Sequence, residues 1–112
     1  LRRGRGAPAP RNLHNDGYAW QRERRAIEYK AFWFKHHTRA SSAALRIKTA
    51  LSMFDYEADY GIAVAKDGQA ILILVAREQK VMDIMTTQCD LARKHPVDST
   101  VKSWLRGRGY RT

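Results

Sequence analysis

Cysteine is nearly absent from this chain. Cys89 stands alone among 112 residues, so no intrachain disulfide can form, and a disulfide-stapled secreted scaffold is excluded. Long apolar runs are missing too. The densest is Ala70–Ala76, Ala-Ile-Leu-Ile-Leu-Val-Ala, far short of the roughly 20 residues that a membrane-spanning helix needs. It is a core element on which the foldable part packs, either a buried helix segment or a buried strand, since periodicity alone does not separate the two. The chain has no glycine-rich phosphate loop with its lysine and no Cys/His spacing for zinc. His36 and His37 are adjacent. On a helix they point about 100° apart and cannot share a metal as an i, i+4 pair can. Asp55, Glu57 and Asp59 look like the start of a calcium loop, but the glycine comes one position late (Gly61), and Lys66 stands where a bidentate Glu is required. Nothing in the spacing of Ser, His and Asp assembles a nucleophile, and Cys89 lies on an apolar stripe, as a core residue does. No catalytic residue, metal ligand or cofactor is expected.

Acidic residues are the scarcer charge: 11 against 21 Lys and Arg, a formal net charge of +10 and a pI near 10.3. Such a surplus points to a polyanionic partner, whether nucleic acid, an anionic membrane surface or an assembly containing one. The surplus is uneven. Residues 1–39 carry a net +7, residues 40–104 are neutral, and residues 105–112 carry +3. Basic blocks at the two ends of a neutral middle read as arms. The first ten residues are Arg-rich and acid-free. They suit the neighbourhood of a cleaved transit peptide and show no apolar core of a secretory signal, so a mitochondrial, matrix-side location is expected.

Residues 1–16 read as an extended basic arm, because Gly4, Gly6, Pro8 and Pro10 oppose regular helix. A helix is expected from Tyr18 to about Thr38, capped near Asn15 or Asp16, with Trp20, Ile27, Phe32 and Phe34 interleaved with Arg22, Arg24, Arg25, Lys30 and Lys35. Interleaved aromatic and basic residues serve stacking and phosphate pairing, or packing between protein partners. From Ser41 or Ser42 onward, Ala44, Ile47, Leu51, Phe54, Ala58, Ile62 and Ala65 recur at steps of three and four, a helical stripe. Ile71, Val75, Met82, Met85, Cys89 and Ala92 continue the pattern between about Gln69 and Lys94, up to Pro96. Two helices joined at Asp67-Gly68 make an αα-hairpin. The rival is a β-hairpin, with Gly61–Ala65 and Ala70–Ala76 as strands around Lys66-Asp67-Gly68-Gln69. Asp98 or Ser99 can cap a last short helix over Val101–Leu105, with Trp104 inward.

Tyr18-Ala19-Trp20, the run Arg22-Glu23-Arg24-Arg25 and the cluster Phe32-Trp33-Phe34 resemble the long helix of the bacterial ribosomal protein L-twenty family. The resemblance covers residues 18–34 and not that family's later Gly- and Tyr-containing pattern. It implies a basic arm, a small α-helical domain and a place in a ribosome. Phe54-Asp55-Tyr56-Glu57-Ala58 resembles the opening of an SH3 domain, but the paired tryptophans and Pro-containing close of that family do not follow.

The resulting expectation is a mainly α chain: an extended basic arm (1–16), a single small helical domain (17–105) built on an αα-hairpin with a preceding basic aromatic helix, and a basic tail (106–112). The alternative is α+β with a β-hairpin at 61–76. The expected function is structural and non-catalytic, as a mitochondrial ribosomal protein amid neighbouring proteins. Arg2, Arg3, Arg5, Arg11, Arg22, Arg24, Arg25, Lys35, Arg106, Arg108 and Arg111 would meet rRNA phosphates, contacts that position without reading sequence. The second expectation is an accessory subunit of a respiratory-chain complex or ATP synthase, its arms on acidic protein or anionic lipid.

Overall fold

The computed structural model describes residues 27–112. Its elements follow the order β1 (Glu28–Phe34), α1 (His37–Phe54), β2 (Asp59–Val64), β3 (Ala70–Ala76), α2 (Gln79–Thr87), β4 (Arg93–His95) and α3 (Ser99–Gly107). The strands form one four-stranded sheet, β2-β3-β1-β4, with every neighbouring pair antiparallel. A β-α-β-β-α-β order wound this way is the split β-α-β arrangement, to which α3 is added. The fold is therefore α+β, and the mainly α expectation is overturned.

The apolar run Ala70–Ala76 does organise the core, as a strand. β3 lies second in the sheet and all seven of its residues are buried. Successive side chains of a strand point to opposite faces, so a strand covered on both faces is apolar without alternation. Ala70, Leu72, Leu74 and Ala76 pack with Ile47 and Leu51 of α1 and with Val81, Met82 and Met85 of α2. Ile71, Ile73 and Val75 pack on the other face with Ala31 of β1, Val101 and Leu105 of α3, and Tyr110. One seven-residue strand thus serves two cores, with α1 and α2 on one side and α3 on the other.

The hairpin expected as the rival is the one formed. β2 pairs with β3 from Asp59↔Val75 to Val64↔Ala70. The turn closes on Gly68 N–H to Ala65 O (2.9 Å) and Ala65 N–H to Gln69 O (2.8 Å), with Gly68 at φ +86°. A three-residue hairpin loop of this kind calls for a left-handed residue at its end. The helical stripe from Ala44 is real only as far as α1. Asp55 takes a left-handed conformation (φ 54°), and Tyr56 N–H reaches back to Leu51 O (3.0 Å), a Schellman-type stop. The expected helix over Gln69–Lys94 divides into β3, α2 and β4. β1 corrects the aromatic helix over its described part: Tyr29, Phe32, Trp33 and Phe34 are strand, consistent with the preference of aromatic residues for a pleated, half-buried surface. The L-twenty-like helix is thus not formed at Phe32-Trp33-Phe34, while Tyr18–Arg25 and the expected arm 1–16 lie outside the described residues. The last helix forms with Asp98 as N-cap, accepting from Val101 N–H (3.1 Å), but runs Ser99–Gly107 and so takes Arg106 and Gly107 out of the expected extended tail. Among the described residues no helix is long and apolar enough to cross a membrane.

Candidate nucleic-acid interface

The charge of the folded part is uneven along the sequence. Residues 27–92 hold eight basic and eight acidic side chains, whereas residues 93–112 hold six basic ones (Arg93, Lys94, Lys102, Arg106, Arg108, Arg111) against Asp98 alone. All of the described surplus therefore belongs to β4, α3 and the residues just after it. Pairing places Arg93 beside Trp33 and His95 beside Ala31. Ala31 belongs to the α3-side core, so strand alternation puts Arg93, His95 and Trp33 on that same face. On α3, Val101 and Leu105 are buried while Lys102 and Arg106, one helical turn apart, are exposed.

Two tryptophans lie in this layer, each with an arginine over its ring: Arg93 at 5.3 Å from Trp33 and Arg108 at 4.8 Å from Trp104. Trp33 Nε1–H donates to Gln69 Oε1. A guanidinium over an indole is attracted to the ring face, and the Arg108 edge is in addition turned onto Asp59. The His95 ring lies 3.8 Å from the Asp98 carboxylate, so the one acid of the region is engaged as helix cap and histidine partner.

A buried polar junction holds the layer on the sheet. Asp59 opens β2 and is 5% exposed. Its carboxylate accepts from Arg108 Nε (3.0 Å) and Nη2 (2.8 Å), from Tyr110 Oη (2.8 Å) and from Tyr60 N–H (2.9 Å). Both ends of the charge-assisted fork are therefore used. Burial, and then the nearby Asp59 charge, drive the Tyr110 hydroxyl far above its ordinary titration range, so it stays a donor. Tyr29 Oη–H donates to Arg111 O (2.7 Å) and its ring meets Tyr110 edge-on (6.1 Å). Burial raises its hydroxyl as well. Farther along the sheet, Gly61 lets α3 approach: a Cβ there would fall on the Trp104 ring.

Of the residues expected from sequence to meet phosphate, four are described. Arg106 is exposed on α3 and Arg111 is exposed beyond it. Lys35 is exposed immediately after β1, at the Trp33 end of the sheet. Arg108 is instead spent on Asp59 and Trp104. Arg2, Arg3, Arg5, Arg11, Arg22, Arg24 and Arg25 lie outside the described residues. Sequence reasoning missed Arg93 and Lys102, because summing charge over 40–104 hides a local surplus behind the acids of Asp55–Asp90; Lys94, paired with Phe32, faces the α1/α2 side. The run Arg93-Lys94-His95 was the available signal. Cys89 is 1% exposed, its Sγ faces Met85 O (3.7 Å), and burial pushes its thiol up to about 11, far from the activated range of a nucleophile. Comparison with protein-family models, with curated proteins and with solved structures yields no match, so the functional reading rests on this geometry.

Proposed function

We propose that this chain is a non-catalytic, RNA-contacting structural subunit of a large ribonucleoprotein, the mitochondrial ribosome being the setting the sequence favours, and that the α3 layer faces the phosphate backbone. The observation that carries the reading is the uneven charge along the chain: residues 27–92 balance, whereas residues 93–112 hold six basic side chains against Asp98, with Lys102 and Arg106 exposed on α3. A solvated surface spreads its charges, whereas a polyanion-binding surface gathers them. Lys102, Arg106, Arg93 and Arg111 are the phosphate partners in this reading. The seven arginines of residues 1–26 add to the same electrostatic term. The Trp33–Arg93 pair suits contacts with sugar edges or an unpaired base.

The test is binding of the full chain to a structured RNA over a salt series, with the wild type beside K102Q/R106Q. Each phosphate contact contributes close to one unit of log–log salt slope on a duplex. The wild type is expected to show a slope of several units, and the double variant a slope about two units shallower. Equal slopes for both would sink the reading. Weak RNA binding with strong binding to vesicles of anionic lipid would transfer the chain to the accessory-subunit alternative.

A further inference from the structure

The two edges of the sheet are built in opposite ways. β4 is three residues long, Arg-Lys-His, and short charged edges resist pairing with other strands. β2 is six residues long, Asp-Tyr-Gly-Ile-Ala-Val, and its only charge, Asp59, is turned inward onto Arg108 and Tyr110. Among the described residues no strand lies beyond β2.

The register states which backbone groups face outward. Ala65 N–H bonds Gln69 O, so along the ladder Ala63, Gly61 and Asp59 direct their backbone groups to β3, and Val64, Ile62 and Tyr60 direct theirs away. The Tyr60 N–H is already taken by the Asp59 carboxylate. The outer edge therefore offers the Tyr60 carbonyl, both groups of Ile62 and both groups of Val64.

We infer that β2 is a homodimerisation edge, pairing antiparallel with β2 of a second copy about a twofold axis at Ile62. The set is self-complementary. Ile62 faces Ile62 of the second copy and exchanges two hydrogen bonds with it, and each Val64 N–H meets the Tyr60 carbonyl opposite. Directly opposed residues of an antiparallel pair project to the same face. Tyr60, Ile62 and Val64 from both copies thus form one apolar strip, and it takes up Val64, otherwise 63% exposed. Gly61 and Ala63 oppose each other on the α3 side with little side chain of their own, and each Trp104 ring lies over the Gly61 of its own copy. The edge brings no uncompensated charge, so the association is not opposed locally by the net +10 of each copy. An axis perpendicular to the sheet also leaves both α3 layers on the same side of one eight-stranded sheet, with the basic β4 strands at its two far ends. The inference does not depend on the RNA reading, but it would double the contacts available to a polyanion.

The test is the mass of the full chain, 12.9 kDa per copy, by sedimentation across micromolar concentrations without RNA. The wild type is expected to sediment as a dimer. V64P removes an outward N–H, and an edge strand tolerates proline where its N–H faces solvent. It should weaken dimerisation at least tenfold. V64K, at the same exposed position, should do so by charge without altering the backbone. L91K, at a residue 90% exposed and outside the sheet, should leave the dimer intact. A monomeric wild type throughout the range, or a dimer that both Val64 variants leave unchanged, would overturn the inference, including the case in which residues 1–26 occupy the edge instead.

Discussion

Replacing Asp59 by Ala tests the junction that seats the basic layer. The carboxylate is nearly inaccessible and has three side-chain bonds and one backbone bond. Its removal strands two groups. The Arg108 guanidinium loses both bonds, but its side chain is 30% exposed, so water recovers part of the loss. The usual ~3–5 kcal/mol for breaking a buried pair is therefore discounted to about 1–2 kcal/mol. The Tyr110 hydroxyl, on a residue 3% exposed, loses an ionised acceptor with little water to replace it, about 1–2 kcal/mol more. The Tyr60 N–H lies at the sheet edge and contributes little. The sum is about 3 kcal/mol, a large share of the ~5–15 kcal/mol of a typical domain. Urea unfolding by circular dichroism would measure it. D59N keeps an acceptor and should cost about half as much, and Y110F should cost about 1–2 kcal/mol. A D59A midpoint within about 0.5 kcal/mol of wild type, or a Y110F cost equal to that of D59A, would refute the reasoning.

G61A drives a methyl group into the Trp104 ring and should cost about 1–3 kcal/mol by overpacking; thermal melts should show W104A/G61A losing less than the sum of the two single variants. D55G relieves a left-handed aspartate at the end of α1 (φ 54°) and should stabilise by about 0.5–1 kcal/mol, read as a higher melting temperature. Cys89 titrates at about 11 in the fold, where burial favours the neutral thiol, against 9.0 when unperturbed. Its contribution is intact below pH 9 and is lost as pH rises from 9 to 11, because the unfolded chain releases the proton first. The loss reaches up to about 3 kcal/mol, and C89A should show a correspondingly flatter alkaline decline in unfolding free energy.

How much the sequence disclosed varied along the chain, for physical reasons. Ala70–Ala76 is identifiable as core from hydrophobicity alone, but its state is not, because a doubly covered strand and a buried helix segment share one pattern. The single loop of the hairpin does not decide it either. Asp67-Gly68 fits a helix end and a β-turn equally well, and the balance is tipped by β-branched residues on either side and by Gly61, which weakens a helix and here admits Trp104. The stripe from Ala44 to Ala65 misleads because Ala58 and Ile62 keep helical spacing by coincidence after Asp55 has ended the helix. α3 was legible down to its cap because Asp98 and the Val101/Leu105 spacing act locally. The site was half legible. Arg106 and Arg111 are visible as terminal charge, whereas the roles of Arg93 and Lys102, and the capture of Arg108 by Asp59 some fifty positions away, depend on long-range pairing that no local pattern encodes.

The most direct test of the central claim is lysine footprinting of the full chain with and without structured RNA. Lys102 lies on the α3 layer, whereas Lys48 and Lys80 are exposed on α1 and α2 across the sheet. The account predicts that RNA protects Lys102 from modification and leaves Lys48 and Lys80 as reactive as in the free protein. Protection of Lys48 and Lys80 with Lys102 unchanged would place the polyanion on the α1/α2 side and contradict it.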